Sequence, residues 1–380
     1  MKILILSCSM GQGHNTAAIA LQEALTLRGA DCTLLDHISL KSERAAWKTA
    51  MGYIRSAVFA PYAFGAAYRV ADWISSRNGR SPVYWAQARY ASYLYEHICR
   101  GQYDAVVTSH LYPAETLTLL KRRGRLRIPF FAVMTDYTCS PFWEETRADV
   151  YFTPSERISE IFVKKGVPRE QLLPCGIPVR RNMREREGKI SARERLGVAH
   201  GVPLVVVMGG SMGGGKMAAV VRELLARAPE DTVVAALCGS NEQLKNRLLT
   251  RFCKAERLLA IGYTDQVPLW MEACDVLMTK PGGLTCTEAA VKHVPLVLTA
   301  PIPGCETCNA AYFERLGLAK RAFAPAAAAK EAIKLLGNEV ARQAMRNLQT
   351  IRVNALAADE IAGVILGAGE ASASERGNRP

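Results

Sequence analysis

No apolar run in the 380 residues reaches the roughly 18 to 20 that a membrane span needs, so any bilayer contact is expected at its surface. Met1 runs straight into the strand-like "KILILS", so no charged leader with an apolar stretch and cleavage site is expected. The eleven cysteines are odd in number and scattered through the strands and helices, and with no leader expected the thiols are expected to be reduced and the chain cytoplasmic. The triphosphatase loop G-x-x-x-x-G-K-[ST] is missing, because in "GGSMGGGK" the lysine is followed by Met217. Acidic residues are short in supply, 35 against 48 basic ones, giving a net charge of +13. That balance calls for an anionic partner: nucleic acid, an anionic lipid surface, or a phosphate-bearing substrate. Nucleic acid is the weakest of the three, because the basic residues are spread out and no recognised nucleic-acid module is present.

What is present is a chain with 49% apolar residues, long enough for two domains. Apolar strands alternate with helices. "KILILS", "CTLLD", "DAVVTSH", "PFFAVMTD" and "DVYFTPS" come first. "VPLVVVMGG", "TVVAALCG", "RLLAIGY", "DVLMTK" and "VPLVLTA" follow after a charge-dense stretch. This pattern predicts an α/β fold with parallel sheets covered on both faces. The reading divides the chain into an N-terminal domain at 1–178, a linker at 179–200, a C-terminal domain at 201–368 and a disordered polar tail at 369–380. Aromatics make up only 7% of the chain, yet they gather between Ser39 and Gly101, where Trp47, Phe59, Tyr62, Phe64 and Trp73 are interleaved with basic residues such as Arg55. Such a mixture reads either as a helical core or as a membrane-interface surface.

Three turns carry chemistry. In "GGSMGGGK", Gly209, Gly210 and Ser211 end a strand and lead into a helix, which suits a diphosphate held by backbone N–H groups. In "TKPGGLTCTEAA", Gly282 and Gly283 precede Thr285 and Glu288. That pair reads equally as a hydroxyl and a ribose-binding carboxylate, or as a capping box. In "PIPGCETCNAAYF", Glu306 and Asn309 stand one helical turn apart, a spacing suited to sugar hydroxyls. Cys305 and Cys308 form C-x-x-C there, without a second pair at metal-ligand spacing. A fourth turn, "GQGH", follows the first strand with Gly11 and Gly13 and ends on His14. It is half of a dinucleotide fingerprint, with Asp36 as the only acidic end to the second strand. A histidine at a strand's C-terminal edge also suits a general base.

"SMGQGHNTAAIAL", "TKPGGLTCTEAA" and "PGCETCNAAYF", in this order, resemble the glycolipid-forming glycosyltransferases, namely the monogalactosyldiacylglycerol synthases and the bacterial diacylglycerol glucosyltransferases. More distantly, the chain is similar to the peptidoglycan enzyme that adds N-acetylglucosamine to lipid I. The resemblance runs from Lys2 to about Leu366, and "VMTDYTCSPFW" and "CGIPVR" narrow it to the diacylglycerol branch. It implies a GT-B fold, two Rossmann-like domains facing one another across a cleft. It implies an inverting transfer of hexose from UDP-glucose or UDP-galactose to diacylglycerol, at the anionic inner face of the cell membrane, with no cofactor and no metal in the donor site. Glu288 would hold the ribose, Gly209 to Ser211 with Thr285 the diphosphate, Glu306 and Asn309 the hexose, and the backbone at Gly262 and Tyr263 the uracil. His14 would be the base, with Asp136 orienting it or touching the acceptor. Family members commonly carry Gln where this chain has Cys305, which leaves glucose and galactose open. Competing readings are a transferase of N-acetylglucosamine to a lipid-linked precursor, a UDP-sugar epimerase, and a non-catalytic nucleotide- or lipid-binding protein.

Overall fold

The computed structural model describes residues 1–9, 12–44, 51–52, 61–75, 80–210, 213–214 and 216–377. It divides into two compact units, Met1–Arg181 with Ala355–Pro380, and Asn182–Asn354.

The first unit is a parallel sheet of β1 (Lys2–Ser7), β2 (Asp31–Asp36), β3 (Ala105–Thr108), β4 (Phe130–Val133), β5 (Val150–Phe152) and β6 (Leu172–Leu173), in the order β2-β1-β3-β4-β5-β6. The order reverses between β1 and β3, so the crevice at their C-terminal ends is the topological switch point, where α/β sheets take ligands. Helix α1 (Gln12–Thr26) packs Ala18, Leu21 and Leu25 on Ile3, Ile5 and Val107. The described helices α2 (Pro61–Ser75), α3 (Pro82–Gln87), α4 (Ala91–Gly101), α5 (Leu111–Arg122) and α6 (Glu156–Lys164) complete the unit up to its last strand.

The second unit is the parallel sheet β7 (Leu204–Met208), β8 (Val233–Leu237), β9 (Leu258–Ile261), β10 (Val276–Thr279), β11 (Leu296–Leu298) and β12 (Lys320–Arg321). Read from one edge, the order is β9-β8-β7-β10-β11-β12, the arrangement of dinucleotide-binding sheets, with its switch point between β7 and β10. The central strands are apolar but for Thr279 at the end of β10, as burial on both faces requires, and Val205, Val206, Val234, Val276 and Leu277 have no exposed surface.

Two boundaries differ from the sequence reading. The charge-dense stretch read as a linker at 179–200 folds into α7 (Arg181–Arg184) and α8 (Lys189–Leu196). From α8 the buried guanidinium of Arg193 reaches the carbonyls of Ala273, Ala199 and Val202 and the carboxylate of Asp275. The chain after the second sheet also does not stay with it. Helices α9 (Met217–Arg227), α10 (Glu242–Arg251), α11 (Val267–Ala273), α12 (Gly283–Val291), α13 (Cys305–Arg315), α14 (Pro325–Leu336) and α15 (Glu339–Arg352) belong to the second unit, and α16 (Ala357–Gly377) returns to the first. Ala358, Ile361, Ala362 and Ile365 form one apolar face of α16 and join the core built by α1, β1 and β3. Fully burying an isoleucine contributes about 1.5–3 kcal/mol, which makes this helix an integral layer of the first unit. Residues 369–377, expected to be disordered, continue that helix.

Candidate active site

β1 ends at Ser7 and α1 begins at Gln12, which puts His14 in the first helical turn at the switch point of the first sheet. The neighbouring strand β3 ends at Thr108 and delivers Ser109 and His110 beside it. His14 Nδ1 lies 2.8 Å from the Ser109 carbonyl oxygen and 2.9 Å from Thr135 Oγ1. A carbonyl only accepts, so Nδ1 carries the proton and Nε2 of the neutral ring keeps its lone pair. Ser109 closes the clamp by donating from Oγ to the His14 carbonyl, 2.9 Å away. Burial lowers the His14 pKa below its ordinary 6.5, against the opposing pull of the Asp136 charge and the Ser109 bond. The positive end of α1 disfavours an imidazolium further. The result is a half-buried histidine held neutral with one basic nitrogen.

Asp136, also half-buried, follows Thr135 at the end of β4 and acts on His14 through its charge, while Ser109 and Thr135 orient the ring. His110 packs edge-on against His14, with ring centroids 4.6 Å apart. Its Nδ1 accepts from the Tyr112 N–H at 3.1 Å, capping α5, and burial drives its pKa well below the usual value. Sequence reasoning missed Ser109, His110 and Thr135. The signal available was "TSH" and "MTD", each ending a strand next to the histidine-bearing turn.

The dinucleotide alternative for this turn loses its acid. The Asp36 oxygens accept from the backbone N–H groups of Ser9 and Ile38, both at 2.9 Å, and so brace the loop itself. Gly13 is half-buried in the first turn of α1, and Gly11 lies outside the described residues.

In the second unit the expected donor residues gather at the C-terminal edge of the sheet. Gly209 and Gly210 follow β7, Gly262 and Tyr263 follow β9, Gly282 and Gly283 follow β10, and Glu306 opens the helix after β11. The glycine turn closes on itself, with Gly214 N–H to Gly209 O at 2.9 Å and Gly213 N–H to Gly210 O at 3.0 Å. A Cβ at Gly209 would sit 2.1 Å from the Gly214 carbonyl oxygen, and Gly210 has φ +74°, so side chains are excluded at both. Ser211 lies outside the described residues. Gly262 is less confined, since a Cβ there would meet only the exposed side-chain end of Glu242, Oε1 at 2.7 Å, which can swing aside. Tyr263, 78% exposed, offers a ring beside it.

Helix α12 is capped by Gly282, so Thr285 is inside the first turn and the capping-box reading of Thr285 with Glu288 falls. Thr285 is half-buried and Glu288 buried. Glu306 Oε1 accepts from Lys280 Nζ at 2.5 Å and Oε2 from the Ile302 N–H at 2.7 Å. Asn309 is fully buried and donates to the Pro281 carbonyl at 3.1 Å, bracing the Pro-Gly-Gly turn, so its position does not support the expected hexose contact. Ala300, between β11 and this helix, has φ +45°, a strained backbone of the kind that collects at ligand sites. Lys280 and Ala300 were not singled out from sequence. Cys305 and Cys308 open α13, and among the described residues no group of three or more His, Cys, Asp or Glu side chains is arranged to hold a metal.

Of the surface expected to meet lipid, Trp47, Arg55 and Phe59 lie outside the described residues, as do the side chains of Tyr62 and Phe64. Trp73 is described and is 56% exposed on α2, next to Val70 at 55%. The helix is tied down by Asp72 to Lys165 at 2.8 Å and by Ser75 to Glu144. Other aromatics divide between core and surface. Tyr84 is buried beneath the guanidinium groups of Arg80 and Arg122, whereas Trp85 and Tyr93 are exposed. No helix among the described residues is long and apolar enough to cross a membrane.

Two parallel sheets of this order, each with polar groups at its switch point, define a GT-B-like α/β protein. The crystal structure of MurG from Acinetobacter baumannii has this fold, with a TM-score of 0.61 over 96% of this chain and 99% of that one at 14% identity. Residues 14–179 match the monogalactosyldiacylglycerol (MGDG) synthase family and residues 204–351 match the glycosyltransferase family 28 C-terminal domain. One match therefore falls in each of the two units. It is 30% identical over 225 residues to a processive diacylglycerol beta-glucosyltransferase of Staphylococcus saprophyticus, covering 59% of this chain and 57% of that protein. It is 25% identical over 331 residues to the Bacillus cytotoxicus protein of the same name, covering 84% and 81%.

Proposed function

We propose that the chain is an inverting glycosyltransferase that moves a hexose from a UDP-sugar to the hydroxyl of diacylglycerol at an anionic membrane surface. The observation that carries this reading is the His14 clamp. With Nδ1 committed to the Ser109 carbonyl, Nε2 is available to take the proton from the acceptor hydroxyl as its oxygen attacks the anomeric carbon. The glycosyl bond to the diphosphate breaks as the new C–O bond forms, and UDP leaves. The glycine turn after β7 and the N-terminus of α12 are the groups to stabilise the departing charge, so no metal is invoked in the donor site. Glucose is the hexose named in the relatives at hand, while the matching family model is named for galactose. Because the match spans only 57% of the Staphylococcus protein, donor and acceptor are tested together.

The test is product formation from diacylglycerol in anionic vesicles with UDP-glucose or UDP-galactose. A glycolipid from one donor is expected, with His14→Ala reducing turnover by roughly 10²- to 10⁴-fold. Product formation unaffected by His14→Ala removes the base. UDP binding without any glycolipid product moves the assignment to another acceptor or to epimerisation.

A further inference from the structure

The glycine turn is not the only candidate for the donor's charge. Lys280 stands one residue past β10, beside β7 at the switch point of the second sheet. Its side chain runs along the glycine turn, where a Cβ built on Gly210 would lie 3.1 Å from Lys280 Cε. Lys280, Lys216 and Thr299 share a small, mainly apolar hollow at this edge with Met208, Met217 and Met278. The Lys280 ammonium is held by Glu306 Oε1 at 2.5 Å, and the other Glu306 oxygen is fixed by the Ile302 N–H. The lysine side chain keeps 25% of its surface exposed, while the glutamate side chain keeps 8%. The cation is therefore the accessible member of the pair and can change partner.

We propose that Lys280 is the cationic contact for the donor's diphosphate and that Glu306 is its intramolecular counter-ion. Lys280 Nζ exchanges the carboxylate for phosphate oxygens, and the released Glu306 oxygen becomes an acceptor for a hexose hydroxyl. Diphosphate binding and sugar recognition are coupled by this exchange. A lysine acts on phosphate as a mobile point charge, which suits it to a role that requires switching partners. The inference rests on the nucleotide-sugar reading of this edge and names a residue that reading did not use.

The experiment measures binding of UDP and of uridine, calorimetrically, to the wild type, Lys280→Met, Lys280→Arg and Glu306→Gln, with folding checked by thermal melting. Lys280→Met is expected to weaken UDP at least tenfold and leave uridine within about twofold, with Lys280→Arg restoring most of the loss. Glu306→Gln removes the competing carboxylate and is expected to tighten UDP severalfold while lowering hexose transfer. If Lys280→Met unfolds because it strands Glu306, the double variant Lys280→Met/Glu306→Gln gives the same UDP-to-uridine comparison. Equal UDP affinity in wild type and Lys280→Met, or weaker UDP binding in Glu306→Gln, overturns the proposal alone. A wild type that binds neither UDP nor uridine overturns the nucleotide-sugar reading with it.

Discussion

His14 and Ser109 are joined twice, by the imidazole Nδ1 to the Ser109 carbonyl at 2.8 Å and by the Ser109 hydroxyl to the His14 carbonyl at 2.9 Å. The residues are 95 positions apart in sequence and meet because β1 and β3 are neighbours across the switch point. This double link fixes both the ring's tautomer and its place.

The first prediction concerns pH. Burial lowers the pKa of His14 below 6.5, and the charge of Asp136 partly offsets this. The neutral ring is the active form, so kcat/KM is expected to fall as pH drops through an inflection below 6.5. Asp136→Asn removes the anion that favours the imidazolium and moves the inflection lower still. A pH–rate profile of both proteins decides it. An inflection above 6.5, or an upward move in the variant, would sink the assignment of His14 as the base.

Glycine at position 209 makes a second prediction. A methyl group there meets the Gly214 carbonyl oxygen at 2.1 Å, so the turn cannot close around it. Gly209→Ala is expected to weaken UDP binding at least tenfold. Gly29→Ala is the control, since Gly29 has positive φ but nothing within 4 Å and belongs to the other unit. It should cost stability without touching UDP affinity. Titration of UDP against both variants checks this, and a Gly209→Ala protein with normal affinity removes the turn from the donor site.

How far the sequence carries the structure depends on whether the determinants are local. The strands were legible because parallel strands buried on both faces read as apolar runs, as in "LVVVM" and "VVAAL". The glycine turns and His14 were legible because strand–glycine–helix is a contiguous signal. Ser109, Thr135 and Lys280 were not, because strand order rather than spacing brings them to His14 or to the glycine turn. Arg193 shows the opposite failure. A charge-dense stretch reads as solvated linker, yet this guanidinium is buried with Asp275 and three carbonyls to satisfy it. The helix carrying Ile361 and Ile365 was read with the C-terminal domain, because nothing local in its sequence tells which unit it joins.

The third prediction concerns the membrane. α2 is anchored through Asp72 and Ser75 and exposes Val70 and Trp73 elsewhere on its surface. Trp favours the bilayer interface, and each nearby basic residue contributes about 1 kcal/mol toward an anionic surface. Trp73→Ala and Val70→Asn together are expected to weaken sedimentation with phosphatidylglycerol vesicles severalfold and leave the melting temperature within a degree or so. Activity on diacylglycerol dispersed in detergent should survive. Unchanged vesicle binding would show that α2 is not the docking element.

The fourth prediction isolates a buried acid away from the site. Glu115 on α5 has no exposed surface and lies against the carboxyl group of Glu145. Burial and the neighbouring Glu145 and Glu144 push its pKa up to about 10, with Arg122 pulling weakly the other way. The folded chain therefore keeps a proton that the unfolded chain releases above pH 4.5. A raised carboxyl pKa contributes its stability fully below the unfolded value and loses it as pH rises toward the folded one, by up to about 1.4 kcal/mol per pH unit. Glu115→Gln mimics the protonated acid and removes that loss. The variant is expected to melt close to wild type at pH 4.5 and several degrees higher at pH 8, at roughly 2–4 °C per kcal/mol. Its amide can donate to Glu145 as the protonated acid does. Melting curves across that range, fitted for both proteins, separate this from a packing effect, which would shift the two pH values alike. A variant less stable at pH 8 than wild type would mean that Glu115 is ionised in the fold and held by a charge the other residues supply.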